Sequence, residues 1–231
     1  PPPGRLSLAY FADDRGRIVT EMSVFPYSDD ELSLITAATA QWHDAELLSR
    51  QAPDGITISD HSDERECLLV TGPKAREILR PLASLDVDDV KYYRFEEGEV
   101  AGIPAVISGT GYTGEDGFEL YIAADRAAEL WRALLDEGAN AGLIPTGLGA
   151  RDSLRLEVGY ALYGNDLDEE HTTLESGLGW VTKIDQGDFV GREVLAAQKE
   201  AGVSRRLVGL RLTGKGFPRP GYDVVSGGEV V

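Results

Sequence analysis

The chain has 231 residues, 42% of them hydrophobic, which is enough to bury a substantial core as one large domain or two small ones. A formal charge of −18 opposes a polyanionic partner, because phosphate recognition needs clustered Lys and Arg, so nucleic acid is excluded. No apolar run approaches the roughly 20 residues that cross a bilayer, and PPPGRLSLAY lacks the regions of a signal peptide, so a soluble, cytoplasmic protein with no membrane partner is expected.

Along the chain, alternating apolar and polar residues predict three antiparallel strands over 5–11, 18–25 and 32–36, joined by turns at DDRG and YSDD. A helix is expected over 40–51, then strands over 55–60 and 66–71, and a helix over 74–82 opened by Gly72-Pro73. Strands over 91–95 and 100–108 precede the glycine-rich segment GTGYTGEDGFELYI. Asp125 is expected to cap a helix running to about Gly138, and 147–159 to form a helix with Leu148, Leu154 and Leu156 on or near its buried side. Residues 164–187 read as ordered loop, 191–201 as an amphipathic helix, 206–212 as a strand, and FPRPGYDVVSGGEVV as the start of a hairpin. Antiparallel meanders interleaved with helices, without regular βα alternation, predict an α+β fold. Both ends read as incomplete, with no initiating Met and a sheet that starts and stops midway.

Composition constrains the chemistry further. Cys67 lies in CLLVTG and reads as a core cysteine in a buried strand, with no disulfide partner. His43, His61 and His171 lack ligand-like spacing, so no metal site is expected. Of 22 basic residues only Lys74, Lys91, Lys183, Lys199 and Lys215 are lysines, and this scarcity beside the acid excess fits either adaptation to salt or an arginine-favouring genome. Stability against salt separates the two.

Gly109, Gly111 and Gly114 match G-x-G-x-x-G, the dinucleotide fingerprint, but the context opposes that reading. A pyrophosphate sits at a helix N-terminus. Here Glu115 and Asp116 follow at once, and Phe118, Leu120 and Ile122 alternate at strand period with Glu119 and Tyr121. Three polar groups carry potential chemistry: Glu21 in an apolar strand; Glu115, Asp116 and Glu119 around the glycine turn; Arg151, Asp152, Arg155 and Glu157 on one helix. Taken alone, the last set is a surface ladder of i,i+3 and i,i+4 charges, and Glu21 and Glu119 are outward strand positions. Alternatively, a carboxylate can accept two parallel N–H bonds from an aminopyrimidine edge, and an arginine can clamp a ligand carboxylate. A folate-type ligand offers both features.

GTGYTGEDGFELYI, PTGLGARDSLRLEVGYALYGNDLDEEHTTLESGLGW and DFVGREVL, in that order, closely resemble the aminomethyltransferase, or T-protein, family of the glycine cleavage system. The likeness is strongest over 109–195 and extends loosely back to Gly4, with TGPKAREIL fitting a helix-start motif. It implies a folate-binding aminomethyltransferase-type fold, antiparallel sheets with packed helices, over 1–200, and the start of a C-terminal β-barrel domain over 201–231. The implied reaction moves a one-carbon unit from the aminomethyl-lipoyl arm of the H-protein, the partner, to tetrahydrofolate, the cosubstrate, with release of ammonia. The resemblance places the pterin-binding glutamate at Glu119, the folate-contacting arginine at Arg151 and the catalytic acid at Glu21. Tyr112 is either a ring contact or a packing residue.

At the acid the chain departs from the family pattern. Glutamate stands where the family has aspartate, and Thr20 replaces its acidic neighbour. GRIVTEMSV and WHDAELL also resemble the folate domains of dimethylglycine and sarcosine dehydrogenases, which need a separate flavin domain. That alternative, and a non-catalytic folate-binding paralogue, stay open at the level of sequence.

Overall fold

A computed structural model describes residues 1–230. Strand β1 (Ser7–Ala12) pairs antiparallel with β2 (Ile18–Pro26), and β2 with β3 (Leu32–Ile35), giving the expected meander with β2 in the middle. The first turn is held by Asp13, whose Oδ1 accepts the Arg15 and Arg17 amides at 2.9 Å each. Aspartate favours such a turn because its short carboxylate reaches the backbone two residues on. Helix α1 (Gln41–Gln51) follows β3.

A second antiparallel sheet runs in the order β4 (Arg65–Thr71), β7 (Gly117–Ala123), β6 (Ile103–Ser108), β5 (Phe95–Val100). Its alternation sorts the side chains. Phe118, Leu120 and Ile122 of β7 are fully buried against Leu79 of α2 (Ala75–Leu79) and Leu130 and Leu134 of α3 (Ala127–Gly138). Each such side chain contributes about 1.5–3 kcal/mol on burial, making this layer the main core. From the other face of β7, Tyr121 meets Phe25 of β2, ring centroids 5.3 Å apart, and Phe25 meets Phe95 at 5.0 Å. This small aromatic cluster joins the two sheets.

Helix α4 (Leu148–Glu157), a long loop and helix α5 (Arg192–Ala201) complete the body, and β8 (Val225–Ser226) pairs with β9 (Glu229–Val230), so the hairpin expected only to begin here has both its strands within 225–230. The loop over 164–187 carries bridges but no helix or strand, as predicted.

Several expectations need correction. Residues 55–60 and 206–212 form no strand, since neither segment finds a sheet edge to pair with. The strand expected over 91–95 instead occupies 95–100, because Tyr93 at φ 60° turns the chain, and Ala101 and Gly102, at φ 53° and 74°, make the tight turn into β6. Asp125 does not cap α3 with its side chain; it lies in a 3-10 turn leading into the helix. Cys67 is in the predicted strand but is exposed, on β4 at the edge of its sheet. The largest reversal is α4: Leu148 and Leu156 are 73% and 62% exposed and Leu154 lies outside the core, while Arg155, at 4%, is the buried residue.

Candidate functional site

The glycine turn delivers the first acid. Gly109 packs so closely that a Cβ would lie 2.5 Å from the Lys91 carbonyl oxygen, and Gly114, at φ 76°, would drive one into Val158 at the end of α4. Only glycine fits either place. The turn opens directly into β7 and not into a helix, so it lacks the glycine-to-helix geometry of a phosphate cradle. Two residues into β7, Glu119 projects from the face opposite Phe118. Thr110 Oγ1 donates to its Oε2 at 2.6 Å and the Tyr121 hydroxyl to the same oxygen at 3.1 Å. Burial and then the Glu119 charge hold the Tyr121 phenol far above its ordinary value, so it remains a donor.

Arg151 and Tyr112 meet from two other elements. The Arg151 guanidinium stands 5.9 Å from the centroid of the Tyr112 ring, and its Nε is buried with no hydrogen-bond partner. A buried unsatisfied donor costs about 1–3 kcal/mol, which sets this nitrogen apart from the paired guanidinium of Arg155. The Tyr112 ring stacks on Tyr160, centroids 5.9 Å apart, and its hydroxyl donates to the Ala161 carbonyl. Burial, and after it the Glu21 charge, pushes the Tyr112 phenol up to about 12.

Glu21 lies at the centre of β2 opposite Tyr10 of β1. Its Oε1 accepts the Tyr163 amide at 3.3 Å. Burial raises its carboxyl above the usual glutamate value and the Asp166 charge adds to this, while the Tyr163 amide and Tyr10 hydroxyl act in the other direction. Glu21 is therefore no solvated strand position; a loop distant in sequence lies against it through Tyr163. Three of the four residues predicted from sequence are thus linked: Glu21 with Tyr112 through the 160–163 loop, and Arg151 with Tyr112 through the ring. The hydrogen bonds of Glu119 go instead to Thr110 and Tyr121. A cavity of about 310 Å³ beside the turn is lined by Tyr92, Thr110, Tyr160, Arg76 and the turn glycines, not by the four themselves. It adjoins the site through Thr110 and Tyr160.

Three further residues shape the site: two were missed from sequence and the third was read there as surface charge. Asp44 of α1, 1% exposed, accepts from Thr20 Oγ1 at 3.2 Å, from the Thr36 hydroxyl, and lies 2.9 Å from His43 Nδ1. Thr20, next to Glu21, is thereby anchored to α1. Arg76 of α2 holds Asp116 of the glycine turn through two bonds of 2.8 and 3.1 Å and lies 4.8 Å from the Phe118 ring centroid. Arg155, read from spacing as part of a surface ladder, does pair with Asp152 at 2.7 Å, but it is buried and also reaches Tyr160 and Asp166. Among the described residues, no three His, Cys, Asp or Glu gather as for a metal ion, and no helix is long and apolar enough to cross a membrane.

Comparison with known proteins identifies the family. The family model of the GCVT N-terminal domain matches residues 1–186. The aminomethyltransferase of Halothermothrix orenii is 40% identical over 228 residues, 99% of this chain and 64% of that protein; the one from Moorella thermoacetica is 44% identical over 217 residues, 94% of this chain and 59% of the relative. The crystal structure of glycine cleavage system aminomethyltransferase T from Bartonella henselae superposes with a TM-score of 0.77 at 27% identity, covering 88% of this chain and 55% of that one. The chain thus spans less than two thirds of the length of these curated relatives. On the family match and these identities, the chain belongs to the aminomethyltransferase family, of which it carries the GCVT N-terminal domain.

Proposed function

We propose that this chain is the folate-binding part of an aminomethyltransferase of the glycine cleavage system, which takes a one-carbon unit from the aminomethyl-lipoyl H-protein, passes it to tetrahydrofolate and releases ammonia. The observation that carries the reading is the orphaned Arg151 Nε beside the Tyr112 ring, with the half-buried carboxylate of Glu21 linked to the same tyrosine through the 160–163 loop. An arginine with an unused donor, an aromatic face and acceptor-only carboxylates form the donor set a folate requires. Within it, Glu119 holds the pterin donor edge: Thr110 and Tyr121 both bind Oε2, and Oε1 is the oxygen presented to the ligand. Arg151 takes a carboxylate of the ligand, and Tyr112 stacks against its ring.

Tetrahydrofolate supplies the nucleophilic nitrogen that accepts the one-carbon unit. Glu21 faces that nitrogen and stabilises the positive charge that develops on it, exchanging a proton when the charge is relieved. Its raised carboxyl suits proton exchange, since desolvation brings a glutamate nearer to neutral pH. The extra methylene relative to aspartate is compatible with the long reach from β2 to the Tyr163 amide. We assign residues 1–200 to this folate domain and 201–231 to the beginning of a second domain. Among the described residues of that segment the only regular structure is the β8–β9 hairpin.

The test is transfer from aminomethylated H-protein to tetrahydrofolate, followed as methylenetetrahydrofolate formed. Glu21→Ala is expected to lower turnover more than folate affinity; an equal loss of both would point to a structural role. A protein that binds folate yet forms no methylenetetrahydrofolate refutes the assignment to this reaction.

A further inference from the structure

After α4 the chain turns back at Gly159, φ 76°, and enters a short loop over 160–167 that is closed on itself. Within it, the Asp166 amide donates to the Leu162 carbonyl at 2.8 Å and the Gly164 amide to the Leu167 carbonyl at 2.8 Å, while the Asp166 carboxylate accepts the Leu162 amide at 2.9 Å. Leu167 is fully buried with Ile18 of β2 and Leu178. Two backbone groups of this loop reach the candidate site from opposite directions: the Ala161 carbonyl takes the Tyr112 hydroxyl, and the Tyr163 amide donates to Glu21. Arg155, buried beneath, fixes the loop at two points, donating to the Tyr160 carbonyl at 3.2 Å and to the Asp166 carboxylate. Its Nε goes to Asp152 on its own helix.

We propose that Arg155 and Asp166 are positioning residues, which hold the 160–167 loop as a strut between Tyr112 and Glu21 and so set where the two stand relative to each other. The inference rests on the reading of Glu21 as the acid of the transfer, but its own content is the coupling of Arg155 and Asp166 to Glu21. Charge-assisted bonds to a planar guanidinium fix direction as well as distance, and a displacement of about 1 Å at a reacting group can cost on the order of a hundredfold in rate. A lysine has no planar fork and cannot hold the same acceptors in the same geometry.

The strut also carries charge. The groups facing Glu21 are the Tyr10 hydroxyl from β1, the Tyr112 phenol from the glycine turn, and the Tyr163 amide and Asp166 carboxylate from the loop. Asp166 is the one like charge among them, and Arg155 offsets it. Removing Arg155 leaves Asp166 uncompensated, which raises the Glu21 titration. Removing the Asp166 charge lowers it. A residue that served only to fold the loop would not shift the titration in opposite directions in the two variants.

The experiment is a ¹³C-carboxyl glutamate titration of this chain by NMR, with the Glu21 resonance assigned by its loss in Glu21→Gln. Arg155→Met is expected to move the Glu21 midpoint up, and Asp166→Asn to move it down. In Arg155→Met the Tyr163 amide is also expected to exchange at least about tenfold faster, while amides of β7 keep their protection. If Arg155→Met does not fold, the downward shift in Asp166→Asn carries the test alone. An unchanged midpoint in Asp166→Asn, or shifts of the same sign in both variants, overturns the proposal. Midpoints that move as expected while the pH profile of transfer fails to follow them leave the strut standing and remove Glu21 from the reaction.

Discussion

The second sheet and the α4 region solve the same problem by opposite means. In the sheet, Phe118, Leu120 and Ile122 point at α2 and α3, and polar residues of β7 point away, so burial of apolar area both orders the layer and aims Glu119. In α4 the leucines face outward and a cation is buried; the helix and its following loop are held by Arg155 and its carboxylate and carbonyl partners. A site acid can thus be aimed by an oily layer or by a charged hub. The hub brings a charge network close to Glu21, whereas the oily layer brings only apolar side chains.

This contrast can be broken at several points. Phe118→Ala removes a fully buried ring from the sheet and is expected to cost about 3–5 kcal/mol in denaturant unfolding, the largest effect in the molecule. A loss of under 1 kcal/mol would mean that the sheet is not the main core. Next, Gly114→Ala forces a positive-φ position and meets Val158, with an expected cost of about 1–3 kcal/mol by the same measurement. A neutral outcome would separate the glycine turn from the end of α4.

Glu21→Gln has the opposite sign. Because burial raises the Glu21 carboxyl in the folded state, its charged form opposes folding, so the native acid favours folding at low pH and this advantage is lost as pH rises through the raised value. The variant is expected to unfold later than the native chain at pH 7, with the gain vanishing below the unfolded value of about 4.3. A stability difference independent of pH contradicts the burial assigned to Glu21. The smallest effect belongs to Leu148→Ser and Leu156→Ser, whose side chains are largely exposed: each is expected to change stability by no more than about 0.5 kcal/mol. A cost above 2 kcal/mol would restore the apolar face predicted for α4.

The same contrast explains which parts of the molecule were legible in the sequence. Strand alternation in 18–25 and 117–123 was readable because one face of each strand is buried and period 2 then records it. The glycine turn was readable as something other than a phosphate loop, since a strand follows it. The helix over 148–157 was found but turned the wrong way round. An apolar stripe identifies an interior only when an apolar partner covers it, and here the covering contacts are made by Arg155 and loop backbone. Residues 206–212 failed for a related reason, because alternation predicts a strand only where an edge exists to pair with. Asp44 left no local trace: a carboxylate in an amphipathic helix reads as solvated until Thr20 and Thr36, distant in sequence, are brought to it. The four proposed site residues were located by likeness to a family; their spacing alone fitted surface positions equally well.

The central claim is that Glu119 and Arg151 grip the two ends of one folate. Calorimetry of tetrahydrofolate with this chain, its Glu119→Ala form and its Arg151→Met form tests it most directly. Each substitution removes one charge-assisted contact and is expected to weaken binding by about 1.5–3 kcal/mol, roughly ten- to a hundredfold, with the fold unchanged by circular dichroism. Equal affinity in all three proteins would contradict the account.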